Sequence, residues 1–250
     1  MVASAQYAAL RRRASLAVGS AILGTALTAW GLGAVVGITG APLLGFVAKA
    51  VLVPVVLAFA ALPSLVHHRW PTLGAANGVT LFRSVLVGAT AAFLGEPSAE
   101  AMVWPLFFAS GAAFVLDWLD GRLARASGRA SPFGARLDME LDAITVLVLC
   151  GLVWHLDRAG LWVFLAGALR YVFVAAAAIW PWMTRELYPT NRRRFVCGVQ
   201  VTCLIWALVP WPVPGLAAAI AAFGLLALVG SFALDTRWLW VHRAEPGLER

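Results

Sequence analysis

Four aspartates stand in two close pairs, Asp117 with Asp120 and Asp138 with Asp142. They lie among hydrophobic segments, where an ionised carboxylate is expensive and marks a functional site. On a helix, residues three or four apart share a face, so each pair presents its carboxylates together. Unpartnered carboxylates brought that close would repel one another, and a divalent cation is the simplest remedy. All-oxygen ligation suits Mg²⁺ or Mn²⁺. The spacing therefore points to a metal site with Asp117, Asp120, Asp138 and Asp142 as ligands.

The stretch Asp117-Trp118-Leu119-Asp120-Gly121-Arg122-Leu123-Ala124-Arg125 can be placed on a helical wheel. With Asp117 as origin, Asp120 falls at about −60°, Gly121 at about +40°, Ala124 at about −20° and Arg125 at about +80°. All five occupy one side of the helix. Gly121 and Ala124 keep that surface low, and Arg125 offers a fixed cation for a phosphate. Ser127, Gly128, Ser131 and Pro132 make 126–133 read as a turn. Gly134 and Asp138, four apart, bring a second helix to the same place. Two carboxylate faces, two small-residue gaps and a guanidinium suit a metal-bound diphosphate.

The full pattern, Asp-x2-Asp-Gly-x2-Ala-Arg-x8-Gly-x3-Asp-x3-Asp, resembles the signature of the CDP-alcohol phosphotransferase (CDP-alcohol phosphatidyltransferase) family, with every fixed position filled. Upstream, Asn77-Gly78-Val79-Thr80-Leu81-Phe82-Arg83 is similar to the Asn-x2-Thr-x2-Arg segment that opens the family's first core helix. The resemblance covers roughly 72–234. It implies Mg²⁺- or Mn²⁺-dependent transfer of a substituted phosphate from a CDP-linked donor, in most members CDP-diacylglycerol, to an alcohol with release of CMP. It implies a two-metal site with Asp117, Asp120 and Asp138 as ligands, completed by Asp142, which either touches the second metal or takes the proton of the acceptor hydroxyl. Gly121, Ala124, Arg125 and Gly134 would line the CDP pocket, with Asn77, Thr80 and Arg83 against the nucleotide or its phosphates. A homodimer is compatible with the resemblance.

Plainer roles compete for several of these residues. Asn77 is also a common helix cap, and Arg83, six residues into a span, could snorkel to the interface. Glu140 points about 160° away from Asp138 and Asp142 and suits a partner for a surface arginine. Arg170 and Arg192–Arg194 could hold the phosphate of a phosphorylated acceptor, or serve topology and anionic lipid. Thr190-Asn191-Arg192-Arg193-Arg194-Phe195-Val196 stands where glycerol-phosphate acceptors of the family carry Gly-Lys-x-Lys-Thr, which weighs against a phosphatidylglycerophosphate synthase. A membrane prenyltransferase also gathers aspartates and Mg²⁺ around a diphosphate, but on separate helix pairs. A transporter or silent lipid-binding protein is the non-enzyme alternative, and no internal repeat of paired transport halves is visible.

The elements that must position these groups are membrane helices. Hydrophobic residues make up 62% of the 250 residues and charged residues 12%, with mean hydropathy +0.84. That balance belongs to integral membrane proteins, and about 20 apolar residues are needed per crossing. Eight spans are expected, near 14–37, 43–66, 75–95, 101–121, 137–155, 160–181, 195–211 and 214–234. The expected fold is all-α: a polytopic helical bundle with a six-helix catalytic core over 71–235. Two N-terminal transmembrane helices within 1–70 precede it, and a tail, 236–250, follows. Arg11–Arg13, Arg69, Arg122 to Arg136, Arg185 to Arg194 and Arg237 to Arg250 all fall on one side of such a bundle. The positive-inside rule makes that side cytoplasmic, together with the mouth of the aspartate site, as in a bacterial inner membrane. The net charge of +7 follows from these span-end arginines, and no nucleic-acid partner is expected. Cys150, Cys197 and Cys203 lie inside spans and are expected to pack without disulfides.

Overall fold

The computed structural model describes residues 2–68, 70, 72–126, 131–185 and 187–243, without the side chains of 2–5, 120 and 123–126. Every regular element among the described residues is helical. The helices are α1 (Val2–Val35), α2 (Ala41–Ala61), α3 (Gly74–Ala91), α4 (Val103–Ala126), α5 (Pro132–His155), α6 (Leu165–Ile179), α7 (Arg192–Ala207) and α8 (Leu216–Val241). Each expected span coincides with one of them. Stretches Gln6–Val35, Ala41–His67, Leu161–Ile179 and Leu216–Val241 are long and apolar enough to cross a bilayer unaided. The protein is a helical membrane bundle.

The other four helices fall short of that standard for a physical reason. Asn77, Thr80 and Arg83 lie on α3, Asp117, Asp120 and Arg122 on α4, and Arg136, Asp138, Glu140 and Asp142 on α5. The 16-residue α7 opens on three arginines. Polar groups at such depth are tolerated where neighbouring helices shield them from lipid.

The chain forms two compact units, Met1–Val148 and Leu149–Arg250, and α5 runs through the boundary. In the first unit α1, α2 and α3 pack mutually, and α4 lies on α3. The α1–α2 connection is short. Gly37, at φ 77°, ends α1 in the left-handed conformation, and the amide of Ile38 donates to the carbonyl of Gly33 at 2.8 Å. Pro42 then stands in the first turn of α2, where its missing N–H costs nothing. Phe46 and Phe93 meet edge to face at 5.0 Å. Lys49 is tied by 2.6 Å contacts to the Glu96 carboxylate and the Leu94 carbonyl.

The three helices meet closely at Gly88. A Cβ there would lie 2.7 Å from both the Ala50 carbonyl oxygen and Cγ2 of Thr25. Backbone cannot yield as a flexible side chain does. Gly88→Ala is therefore expected to destabilise the first unit by about 1–3 kcal/mol, the usual overpacking penalty. Denaturant unfolding in detergent micelles checks this, and unchanged stability would mean the helices part freely.

In the second unit α7 lies along α8, and α6 contacts α8. Gly224 admits Gln200 and Cys203, since a Cβ there would come within 2.7 Å of the Gln200 amide oxygen. Cys150 is buried and directs its Sγ at the Val163 carbonyl, 3.3 Å away. Cys203 is buried as well, whereas Cys197 is exposed on α7. The packing expectation thus fails for Cys197, which is exposed on its helix.

Candidate active site

Three helices of the first unit meet at one guanidinium. Asn77, Thr80 and Arg83 stand at successive turns of α3, and all three are buried. Arg83 is only 3% exposed. Its Nη1 lies 2.8 Å from Asp117 Oδ1 on α4 and 2.7 Å from Asp138 Oδ1 on α5. Its Nη2 lies 2.9 Å from Asp142 Oδ1. Its Nε donates to the Ala113 carbonyl at 3.1 Å. A planar fork of donors suits this work, since one arginine can hold several carboxylates at fixed angles.

The carboxylates are more open than the arginine. Asp117, Asp138 and Asp142 side chains are 33%, 39% and 50% exposed. One oxygen from each lies within 4.8 Å of the others. A single guanidinium cannot neutralise three carboxylates, so the cluster keeps a negative excess on its exposed side. Hard oxygen donors, clustered and under-neutralised, fit a Mg²⁺ or Mn²⁺ ion by their chemistry. Of the four aspartates, Asp117, Asp138 and Asp142 are thus brought together. The side chains of Asp120, Ala124 and Arg125 lie outside the described residues.

Of the nucleotide-side candidates, Asn77 and Gly134 come together. Asn77 donates from Nδ2 to the Leu73 carbonyl at 2.5 Å, and Thr80 donates to Ala76 at 3.1 Å. Gly134, in the first turn of α5, faces Asn77. A Cβ on Gly134 would sit 2.7 Å from the Asn77 Oδ1. Glycine is what lets α5 approach α3 there. Gly121 is half-buried on α4, one turn beyond Asp117. Glu140 pairs with Arg136 at 3.0 Å, one turn along α5, as its direction on the wheel implied.

Sequence reasoning missed the support beneath α5. Ser131 precedes Pro132 and accepts the Gly134 amide on its Oγ at 3.1 Å, a helix N-cap. The same Oγ lies 3.0 Å from Nδ1 of His68, a buried residue before the helical core. The other ring nitrogen, Nε2, is 3.0 Å from the Thr72 carbonyl, which can only accept. With Nε2 donating, the neutral ring accepts the Ser131 hydroxyl proton on Nδ1. Phe133 closes edge-on against the His68 ring at 5.8 Å. The serine–proline step before an apolar run was the available signal. Ser131→Ala should cost about 1–2 kcal/mol of stability, and Ser131→Asn should restore most of it, because both residue types cap. Chemical denaturation of the two variants side by side tests that order.

Arg170 lies half-buried on α6. Arg192 and Arg193 both bind the Asp235 carboxylate, and Arg194 is exposed. All four belong to the second unit.

The family model for the CDP-alcohol phosphatidyltransferases matches residues 73–233, and the chain belongs to that family. It is a membrane-embedded transferase of substituted phosphate groups, with a CDP-alcohol as donor and an alcohol as acceptor. The family is generally dependent on a divalent metal. No curated protein and no solved structure matches the chain.

Proposed function

We propose that the protein makes a phospholipid, transferring the phosphatidyl group of CDP-diacylglycerol to an alcohol and releasing CMP. The observation that carries this reading is the convergence of Asp117, Asp138 and Asp142 from two helices onto buried Arg83 within one unit. Family membership supplies the reaction class, and the bilayer setting favours a lipid-linked donor. The span-end arginines support a bundle oriented with this site toward the cytoplasm of a bacterial inner membrane.

In this reading Asp117, Asp138 and Asp142, joined by Asp120, would hold two Mg²⁺ or Mn²⁺ ions. When bound, the metal supplies neutralisation of the diphosphate and stabilisation of the departing CMP. Arg83, 3% exposed, acts in this reading through the carboxylates. It fixes the three carboxylates by one oxygen each and limits their mutual repulsion. Asn77, Thr80 and Gly134 form the wall against which the CDP moiety is held, with Gly121, Ala124 and Arg125 on the facing helix. Asp142 gives only Oδ1 to Arg83, and its side chain is half-exposed. Its Oδ2 is the oxygen available to take the acceptor's hydroxyl proton. The acceptor oxygen then forms a bond to the phosphatidyl phosphorus as the bond from that phosphorus to CMP breaks.

The test is CMP release by the purified protein from CDP-diacylglycerol with Mg²⁺ or Mn²⁺. A panel of acceptors (glycerol 3-phosphate, inositol phosphate, inositol, serine, choline, phosphatidylglycerol) is offered, with the product lipid identified by mass. Acceptor-dependent release is expected. Release only from a donor carrying a different alcohol would move the protein to another branch of the family. Turnover of a prenyl diphosphate in place of the CDP donor would overturn the reading.

A further inference from the structure

We propose that the second unit carries a binding site for the phosphate of an anionic phospholipid, where α7 begins and α8 ends. A cavity of about 300 Å³ opens there, with Arg192, Arg237, His242, Tyr188 and Trp238 in its wall. It shares no residue with the carboxylate cluster.

Charge is the first argument. Asp235 is 5% exposed and receives both the Nη2 of Arg192 and, at 3.1 Å, the Nε of Arg193. Two guanidiniums on one carboxylate leave a positive excess. The Nε of Arg192 is itself buried and has no hydrogen-bond partner. Arg237, exposed in the cavity wall, has no ion pair among the described residues. The wall is therefore a concave cationic surface with donors to spare, and a phosphate monoanion fits its chemistry.

The frame around these cations is rigid and aromatic. Trp238 stacks on the His242 ring at 4.3 Å, and Tyr188 meets Trp238 at 5.4 Å. Arg193 lies over the Tyr188 ring and donates to its carbonyl at 2.6 Å. The Arg185 guanidinium donates to the His242 carbonyl. Tyrosine and tryptophan at a helix end are at home at the depth of lipid headgroups.

The second argument is what lies beneath. Phe223, Leu226, Gly230 and Leu234 recur every three or four residues along α8 and are exposed. Phe223, Leu226 and Leu234 are 64%, 69% and 51% exposed. The stripe ends in Arg237 at the cavity. From Phe223 to Arg237 the helix rises about 21 Å, against about 15 Å for the hydrocarbon of one leaflet. A lipid whose phosphate sits at Arg237 and Arg192 thus lays its chains along this stripe. A soluble phosphate would use the cations and leave the stripe unused, so the joined features select a lipid.

Native mass spectrometry of the detergent-solubilised full chain, titrated with phosphatidylglycerol or phosphatidylcholine of the same chains, tests this. Wild type should retain phosphatidylglycerol in preference. Arg237→Gln should weaken that preference roughly five-fold, the effect of one arginine at an anionic surface. Among the described residues Arg237 makes no ion pair, so this variant should fold as wild type does. Arg192→Gln should act in the same direction while Arg193 keeps Asp235 paired. Equal retention of both lipids, or a preference untouched by Arg237→Gln, overturns the proposal. Displacement of bound phosphatidylglycerol by millimolar inorganic phosphate assigns the cavity to a soluble anion and also overturns it. A dimer that forms as lipid is lost, with the stripe protected from exchange, would give the face to a second copy instead.

Discussion

Arg83→Met will destabilise the first unit on the order of 3 kcal/mol in the presence of EDTA, the lower end of what removing one partner of a buried ion pair costs. The lower end applies because the three carboxylates are between a third and a half exposed and water screens part of their repulsion. Methionine fills much of the same volume, so the loss is electrostatic more than steric. It also removes the side-chain donor to the Ala113 carbonyl. The same variant should gain more stability from Mg²⁺ than wild type does, because the added ion then meets three carboxylates that have lost the Arg83 guanidinium. Unfolding midpoints of both proteins, with EDTA and with Mg²⁺, give the comparison. A variant as stable as wild type in EDTA would show that the carboxylates do not depend on Arg83. Equal Mg²⁺ stabilisation of the two would show that the ion does not bind this cluster. Activity of Arg83→Met should fall with the geometry it supports, and Arg83→Lys should not restore it, since an ammonium cannot hold three carboxylates along one plane.

That prediction could not have been made from the sequence, although both halves of the site were visible there. The aspartate pairs announce themselves because their partners are three or four residues away, and helical periodicity converts such spacing directly into a shared face. Arg83 was visible as a charge inside a span, with nucleotide contact and snorkelling as its alternatives. Its bonds to Asp138 and Asp142 cross 55 and 59 residues, and no local rule carries across that distance. The sequence argument asked for a cation to relieve the carboxylates and supplied only a metal. Part of the relief is built into α3. His68 and Ser131, 63 residues apart, were hidden in the same way. Helix positions were legible from hydropathy, since each expected span has its helix. Their ends were less so. α1 begins at Val2 and takes in Arg11–Arg13, which charge alone had placed before the span. A basic turn can continue a helix beyond the bilayer, and hydropathy does not register it. The side on which Cys197 falls depends on which face of α7 meets α8, and that too is a tertiary fact.

Asp142→Asn separates catalysis from structure more sharply than any change at Arg83. Asparagine keeps an oxygen that can accept from Arg83 Nη2, so the contact at 2.9 Å has a substitute. It also removes one negative charge from a cluster that holds more carboxylates than Arg83 alone can neutralise. The unfolding midpoint should therefore stay level or rise. CMP release should fall by roughly a thousand-fold, within the range lost when a positioned general base is removed. The expected signature is lost turnover on a scaffold no less stable, the trade seen where function keeps like charges together. Metal titration then divides the two roles open to Asp142. If high Mg²⁺ restores turnover, the carboxylate acts as a ligand whose loss weakens ion binding. If kcat stays low at saturating Mg²⁺ while the half-saturating concentration hardly moves, the missing function is proton acceptance. Unchanged CMP release would remove Asp142 from the mechanism and leave Asp117 and Asp138 to account for the site.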